Sequence, residues 1–172
     1  MSDKFKVSFV SNPEAFETLI KWWEELDNVR GERAALRRCH ETAEVVFLPS
    51  FHRLRWSLGQ FNPERLALVA CVIAHVRHND DSAHIAAQMA KLKNGDKNSL
   101  VSELRFRRLL KIKDRDELLE PMIRIVQLLD KKVNIASLAD GIYWWNEYVR
   151  KKWAYEYYKN PSKKDKKEVE YE

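Results

Sequence analysis

Residues 62–76 read NPERLALVACVIAHV. Asn62 offers a capping side chain, Pro63 occupies the first helical position and Glu64 puts an acid in the first turn, so a helix starts here. From Leu66 onward the run is apolar on nearly every side. A surface helix keeps a polar face; one without it must be enclosed by other elements. The fold is therefore expected to form around this helix.

The flanking segments supply its neighbours. Residues 12–14 repeat the Asn-Pro-Glu start, and Phe16, Leu19, Ile20, Trp23 and Leu26 follow at helical spacing before Asp27-Asn28 ends the element. A second helix is expected from near Gly31 through Arg38, and a short segment at 43–47 stops before Pro49. Ser50 is the expected cap of a helix ending at Gly59. Residues 79–82 read as a turn feeding a helix over 82–93. Ser99 or Ser102 opens the next helix, and Asp114 opens another to about Asp130 that Pro121 kinks or delays. Asn134 caps the last one. Leu138, Ile142, Trp145, Val149 and Trp153 form one stripe that predicts a single helix over 135–158. Residues 1–11 read as a loose arm.

Four glycines in 172 residues are too few for the turns of a β protein. The expected class is all-α, with two small helical bundles joined by a short loop. Residues 1–93 form the first bundle, 94–98 (Asn-Gly-Asp-Lys-Asn) the joint and 99–159 the second, while the Lys/Glu-rich residues 160–172 are expected to be disordered. No apolar run approaches the ~20 residues of a membrane span, and no signal peptide is visible. Cys39 and Cys71 lack CxxC spacing, which fits incidental thiols in a reducing compartment. A cytoplasmic location is expected.

Charge is segregated along the chain. Residues 30–38 hold four arginines and one glutamate, a net +3. Residues 103–115 hold six basic and two acidic side chains, a net +4, whereas 14–27 carry one lysine and five acids, a net −4. The whole chain has a formal charge of +5. Clustered cations point to a polyanion, with a solvated face or pairing to the acidic first helix as the plain alternative. Arg30, Arg33 and Arg37 step by three and four along one face, with Arg38 at its edge. Arg105, Arg108 and Lys111 step by three, and Arg150 with Lys151-Lys152 lies in the last helix. Such rows can follow a phosphate backbone.

Catalytic chemistry finds less support. His75, His78, Asp80, Asp81 and His84 lie within ten residues, but Asn79 separates His78 from Asp80, so no metallohydrolase motif is complete. No GxSxG and no glycine-rich phosphate loop occurs, and adjacent helical residues such as Cys39 and His40 do not face each other. No cofactor, metal or catalytic residue is expected. Trp22 and Trp144 fall outside the apolar stripes and are candidates for stacking a base or anchoring a partner.

Three stretches carry a family resemblance: WWEELDNVRGERAALRR at 22–38, RFRRLL at 105–110 and VNIASLADGIYWWNEYVRKKWAYEYY at 133–158. In that order they resemble CasB, the small subunit of the type I-E CRISPR effector complex called Cascade. The resemblance implies an all-helical, two-bundle fold without enzymatic activity. It implies two copies packed head to tail beside the crRNA–target duplex and the displaced DNA strand, in contact with the other Cascade subunits. The family's basic surface maps onto Arg37, Arg38, Arg105, Arg108, Lys111, Arg150 and Lys151. Cys39-His40 and the lysine-rich tail depart from the family pattern. Two further readings stand beside this one. A free helical DNA-binding regulator would need a compact recognition helix, and these basic residues are spread over three segments. A metal-dependent hydrolase would have to be built on His75 to His84.

Overall fold

A computed structural model describes residues 6–95 and 97–159; the expected disordered tail lies outside the described residues. The element that organises the chain is α5, Pro63–Ile73. Asn62 caps it by accepting from the Arg65 amide, and residues 66–73 are all buried. Around it lie α2 (Arg30–Arg38), α3 (Thr42–Val45), α4 (Pro49–Ser57), α8 (Leu119–Leu128) and α9 (Ile135–Tyr143). The class is all-α, with one two-residue parallel bridge between β1 (His78–Asn79) and β2 (Lys132–Val133).

The first helix, α1, spans Pro13–Glu25 and starts as expected, with Asn12 accepting from the Glu14 and Ala15 amides. Its two tryptophans both turn inward. Trp22 Nε1 donates to Ser50 O at 2.8 Å and Trp23 Nε1 to Val76 O at 3.1 Å. Trp22 is thus a core residue rather than an outward one. Ser50 lies inside the first turn of α4 instead of capping it, because Pro49 starts that helix.

Two elements are shorter than the periodicity predicts. Helix α6 covers only Ile85–Ala90. The preceding residues are taken by the β1–β2 bridge and by the turn in which Asp80 accepts from the Ser82 amide. The 82–93 segment closes on the antiparallel bridge from Leu92 to Ser99. Pro121 falls in the first turn of α8 and delays it, after a 3-10 turn at Arg115–Glu117. Helix α7, Glu103–Leu110, is capped by Ser102.

The single last helix does not form. Its stripe is divided between α9 and α10 (Glu147–Tyr157), with a break at Trp144-Trp145-Asn146. Asn146 caps α10 by accepting from the Val149 amide, and Trp145 Nε1 donates to Ile112 O. The break folds α10 back so that the Trp153 ring lies against Gly141. Spacing of four, three, four and four is the same whether one helix or two carry the stripe, so periodicity alone does not register the turn.

The arm is likewise held. Asp140 accepts from Ser8 Oγ and from the Phe9 and Val10 amides, Phe9 stacks on Phe61, and Trp144 Nε1 donates to Val7 O. Residues 7–10 are therefore fastened to the body of the fold rather than loose, with Ser8 and Phe9 buried while Lys6, Val10 and Ser11 stay exposed. Buried side chains on both sides of 94–98 belong to one hydrophobic cluster, in which α5 meets α8 and α9, and α6 meets α10.

A Cβ on Gly141 would come within 2.8 Å of Trp153 Cε2 and 2.9 Å of its Nε1, and that ring is only 1% exposed. Gly141→Ala is expected to cost roughly 1–3 kcal/mol through overpacking. Urea unfolding measures this, and an unchanged midpoint would contradict the close approach.

Candidate nucleic-acid interface

The expected basic residues fall into two groups. The first is on α7 and α10. Phe106 and Leu109 bury one face of α7, leaving Arg105, Arg107, Arg108 and the C-capping Lys111 exposed. Helix α10 runs antiparallel beside it: Phe106 stacks on Tyr157, Tyr158 OH donates to Glu103, and Arg150 Nη1 donates to Leu110 O at 3.2 Å. That last bond sets Arg150 on the carbonyl end of α7, where a cation also complements the helix dipole. Arg150, Lys111 and Arg108 therefore share one end of α7. Lys151 is exposed and pairs with Glu147 at 3.2 Å. Among the described residues, no ion pair involves Arg38, Arg105, Arg108 or Lys111.

The second group is on α2. Arg38 is exposed, but Arg37 is half-buried, with Nε donating to Ala74 O at 3.3 Å. Arg33, on the same face, is buried; it pairs with Asp27 at 3.2 Å and donates to Trp23 O at 2.9 Å. Arg30, Arg33 and Arg37 line a pocket of about 360 Å³ together with Asp27 and Arg77. Burial holds the Arg33 and Arg37 guanidiniums below their usual pKa, and each feels its neighbours: Asp27 opposes the shift of Arg33, while Arg77 reinforces both. Sequence reading missed Arg77. It lies 40 positions from Arg37 and is placed by the Arg77 amide donating to Lys131 O at 2.8 Å, on a segment no periodicity describes.

The acid–histidine cluster is dispersed. Among the described residues, no group of three His, Cys, Asp or Glu side chains is arranged to hold a metal ion. His84 Nδ1 accepts from the Ala86 amide as the cap of α6, and the ring meets the Trp153 edge. His75 lies beside Arg37 and Lys131, which add to burial in pushing it down to about 4. His84 is pushed down to about 4 as well, chiefly by burial. Both cysteines are free and buried, and burial pushes Cys71 up to about 12. Trp144 is partly exposed, with Arg65 over its ring at 5.4 Å. The outermost aromatics are Phe47, Trp56, Tyr148 and Tyr155, which sequence reading did not single out. No described helix is long and apolar enough to cross a membrane.

A folded-state histidine pKa near 4, below the ~6.5 of an unfolded chain, means that the unfolded state binds more protons between those values. Stability should rise with pH from about 4 to about 6.5 and be indifferent to these groups above. Discounted for partial exposure, each ring is worth ~1 kcal/mol, or about 2–4 °C in Tm for a chain this size. Thermal unfolding at pH 7 and pH 4.5 should show a smaller acid-induced drop in His84→Asn, which keeps a capping acceptor. An identical drop would show that His84 ionises freely.

Comparison with known proteins gives a consistent result. The model of the family described as CRISPR-associated protein Cse2 matches residues 32–158. No curated protein matches. Among solved structures, a chain from the crystal structure of E. coli Cascade bound to a PAM-containing double-stranded DNA target is similar, at 22% identity. The similarity covers 80% of this chain and 89% of that one, with a TM-score of 0.59. The matched span runs from within α2 through α10, and thus includes Arg33, Arg37 and Arg38, the cations of α7 and α10, and the enclosed helix that separates them in sequence. On the match over that span, the chain belongs to the CRISPR-associated Cse2 family, also called CasB.

Proposed function

We propose that this chain is the small subunit of a type I-E CRISPR Cascade complex, cytoplasmic and without catalytic activity of its own. It binds nucleic-acid backbone and thereby stabilises the crRNA–target R-loop and the displaced DNA strand. The family match over 32–158 carries the reading, and the exposed cations of α7, without ion-pair partners among the described residues, give it a physical basis. Its partners are crRNA, the displaced strand of target DNA, the other Cascade subunits and a second copy of itself. The backbone contacts are assigned to Arg37, Arg38, Arg105, Arg108, Lys111, Arg150 and Lys151.

The mechanism is an energy balance. Replacing a DNA duplex by an RNA–DNA heteroduplex is nearly neutral, so a few protein–backbone contacts can tip it. A rigid helical block supplies them without reading sequence. Each phosphate neutralised releases counterions, which makes the free subunit a weak, salt-sensitive binder. Neighbouring subunits raise its effective concentration at the strand. The residues contribute unequally. Arg105, Arg108, Lys111 and Arg38 are free to meet phosphate. Arg37 and Arg150 also hold the carbonyls of Ala74 and Leu110, so they join the surface to the core.

Arg105→Ala and Arg108→Ala should weaken single-stranded DNA binding equally for all sequences, reducing the salt slope by about 0.7 for each phosphate no longer neutralised. Their stability should stay within about 0.5 kcal/mol of the parent. Arg37→Ala and Arg150→Ala should lower stability by about 1–3 kcal/mol besides. Binding assays across a salt series, paired with urea unfolding, separate these effects. Loss confined to one DNA sequence would favour a regulator instead. Failure to copurify with coexpressed Cascade subunits would remove the assembly role.

The reading includes two helical bundles, 1–93 and 99–159. Limited proteolysis should cut first at 94–98, where Gly95 has φ +72° in an exposed turn. First cleavage elsewhere would count against a joint at that position.

A further inference from the structure

The pocket between α2 and the segment after α5 brings four guanidiniums, Arg30, Arg33, Arg37 and Arg77, against one carboxylate, Asp27. Like charges converge there at a cost that an anion would remove. Asp27 does not suffice: it is itself largely exposed and pairs with Arg33. At this pocket two donors remain unsatisfied by the described residues, Nε of Arg33 and Nη2 of Arg37, although both atoms are buried, as Nε of Arg150 is elsewhere on α10. Arg33 as a whole is only 5% exposed. A buried donor without an acceptor costs about 1–3 kcal/mol, more when charged, so these two atoms ask for a ligand. His75 Nε2, next to Arg37, is a third buried atom without a partner.

The backbone fixes this convergence. Arg77 and His78 both donate their amides to Lys131 O, beside β1 and β2. That carbonyl is presented by a turn in which Asp130 and Lys131 take φ of +54° and +62°. Non-glycine residues adopt such angles only where the surroundings impose them. The far wall is equally fixed, because Arg33 is bound to Trp23 O and Asp27. Arg30, Arg77 and Asp27 are exposed and form the mouth; Arg33 and Arg37 form the floor.

We infer that this pocket is a phosphate-binding site, in which Arg33 and Arg37 meet phosphate oxygens from below and Arg30 and Arg77 close over the group. Planar guanidiniums match oxyanions with paired donors, which lysine rows cannot do. The volume of about 360 Å³ lies at the small-ligand end of binding pockets, so it admits a phosphate with part of a sugar attached. The phosphate comes either from free phosphate or from a nucleic-acid strand, and the second source rests on the function proposed above.

The test uses the full chain, with inorganic phosphate as the probe. Phosphate should raise Tm above chloride at equal ionic strength, since it binds only the folded state. Arg77→Gln, at the exposed mouth, should weaken phosphate affinity roughly tenfold, while its Tm in chloride should hold or rise because one of the converging charges is gone; a tenfold loss is about 1.4 kcal/mol. Arg37→Gln should do the same with some loss of stability. Arg105→Ala should leave phosphate affinity unchanged, which separates this site from the α7 row. If Arg77→Gln also weakens binding of a single-stranded oligonucleotide, the strand supplies the phosphate; if it does not, the pocket serves free phosphate and the exposed rows alone serve the strand. Equal Tm in phosphate and chloride would overturn the site, as would a phosphate effect that survives Arg77→Gln and Arg37→Gln together.

Discussion

Residues 66–73 of α5 are each at most 1% exposed, so this helix needs apolar neighbours around its whole circumference. Full burial of one such large aliphatic side chain stabilises by roughly 1.5–3 kcal/mol, and no single partner helix can supply it for all of them. Helices α2, α3, α4, α8 and α9 all pack against it, which is why residues before and after 94–98 share one hydrophobic cluster. The consequence reaches the surface. Cys71 Sγ donates to Leu36 O and Arg37 to Ala74 O, so α2 is seated against α5 with its arginine face at a fixed height.

Polar atoms of Trp22, Trp23, His84 and Asp140 all serve the fold, and of these Trp22 and His84 are the candidates for function in one dimension. Trp22 and Trp23 donate to the backbone of α4 and of the segment after α5. His84 caps a helix, and Asp140 gathers the chain at 8–10. Each of these is a polar group that burial obliges to find a partner. The same reasoning identifies what is left over. Among the described residues, buried guanidinium atoms of Arg33, Arg37 and Arg150 stay without acceptors, and exposed cations of α7 stay without carboxylates, although the chain carries 26 acidic residues.

The two basic groups differ in kind. The α7 row is solvated, so its positive field is screened by salt and inexpensive to keep. At the floor of the α2 pocket Arg33 is buried and Arg37 half-buried, so these two charges are desolvated at a cost that an anion would offset. The Asp130-Lys131 turn, with both residues at positive φ, presents the carbonyl that the Arg77 amide holds. A chain that keeps both features gives up fold stability to place positive charge.

What the sequence determined by itself is whatever depends on neighbours within a few turns. The caps at Asn12, Asn62, Ser102 and Asn134, the enclosed character of α5 and the exposed arginine row of α7 all follow from local spacing. The three stretches at 22–38, 105–110 and 133–158 were also enough to place the chain in its family. Only tertiary structure decided the rest. The turn at Trp144-Trp145-Asn146 depends on α10 folding back onto Gly141, a contact between side-chain volumes that leaves helical periodicity intact. The order of residues 6–11 depends on Asp140, more than 130 positions away. Arg77 reaches Arg33 and Arg37 only through Lys131 and the β1–β2 bridge. Local propensity sees a few residues along the chain, whereas burial and charge convergence are set by which distant segments the core brings together.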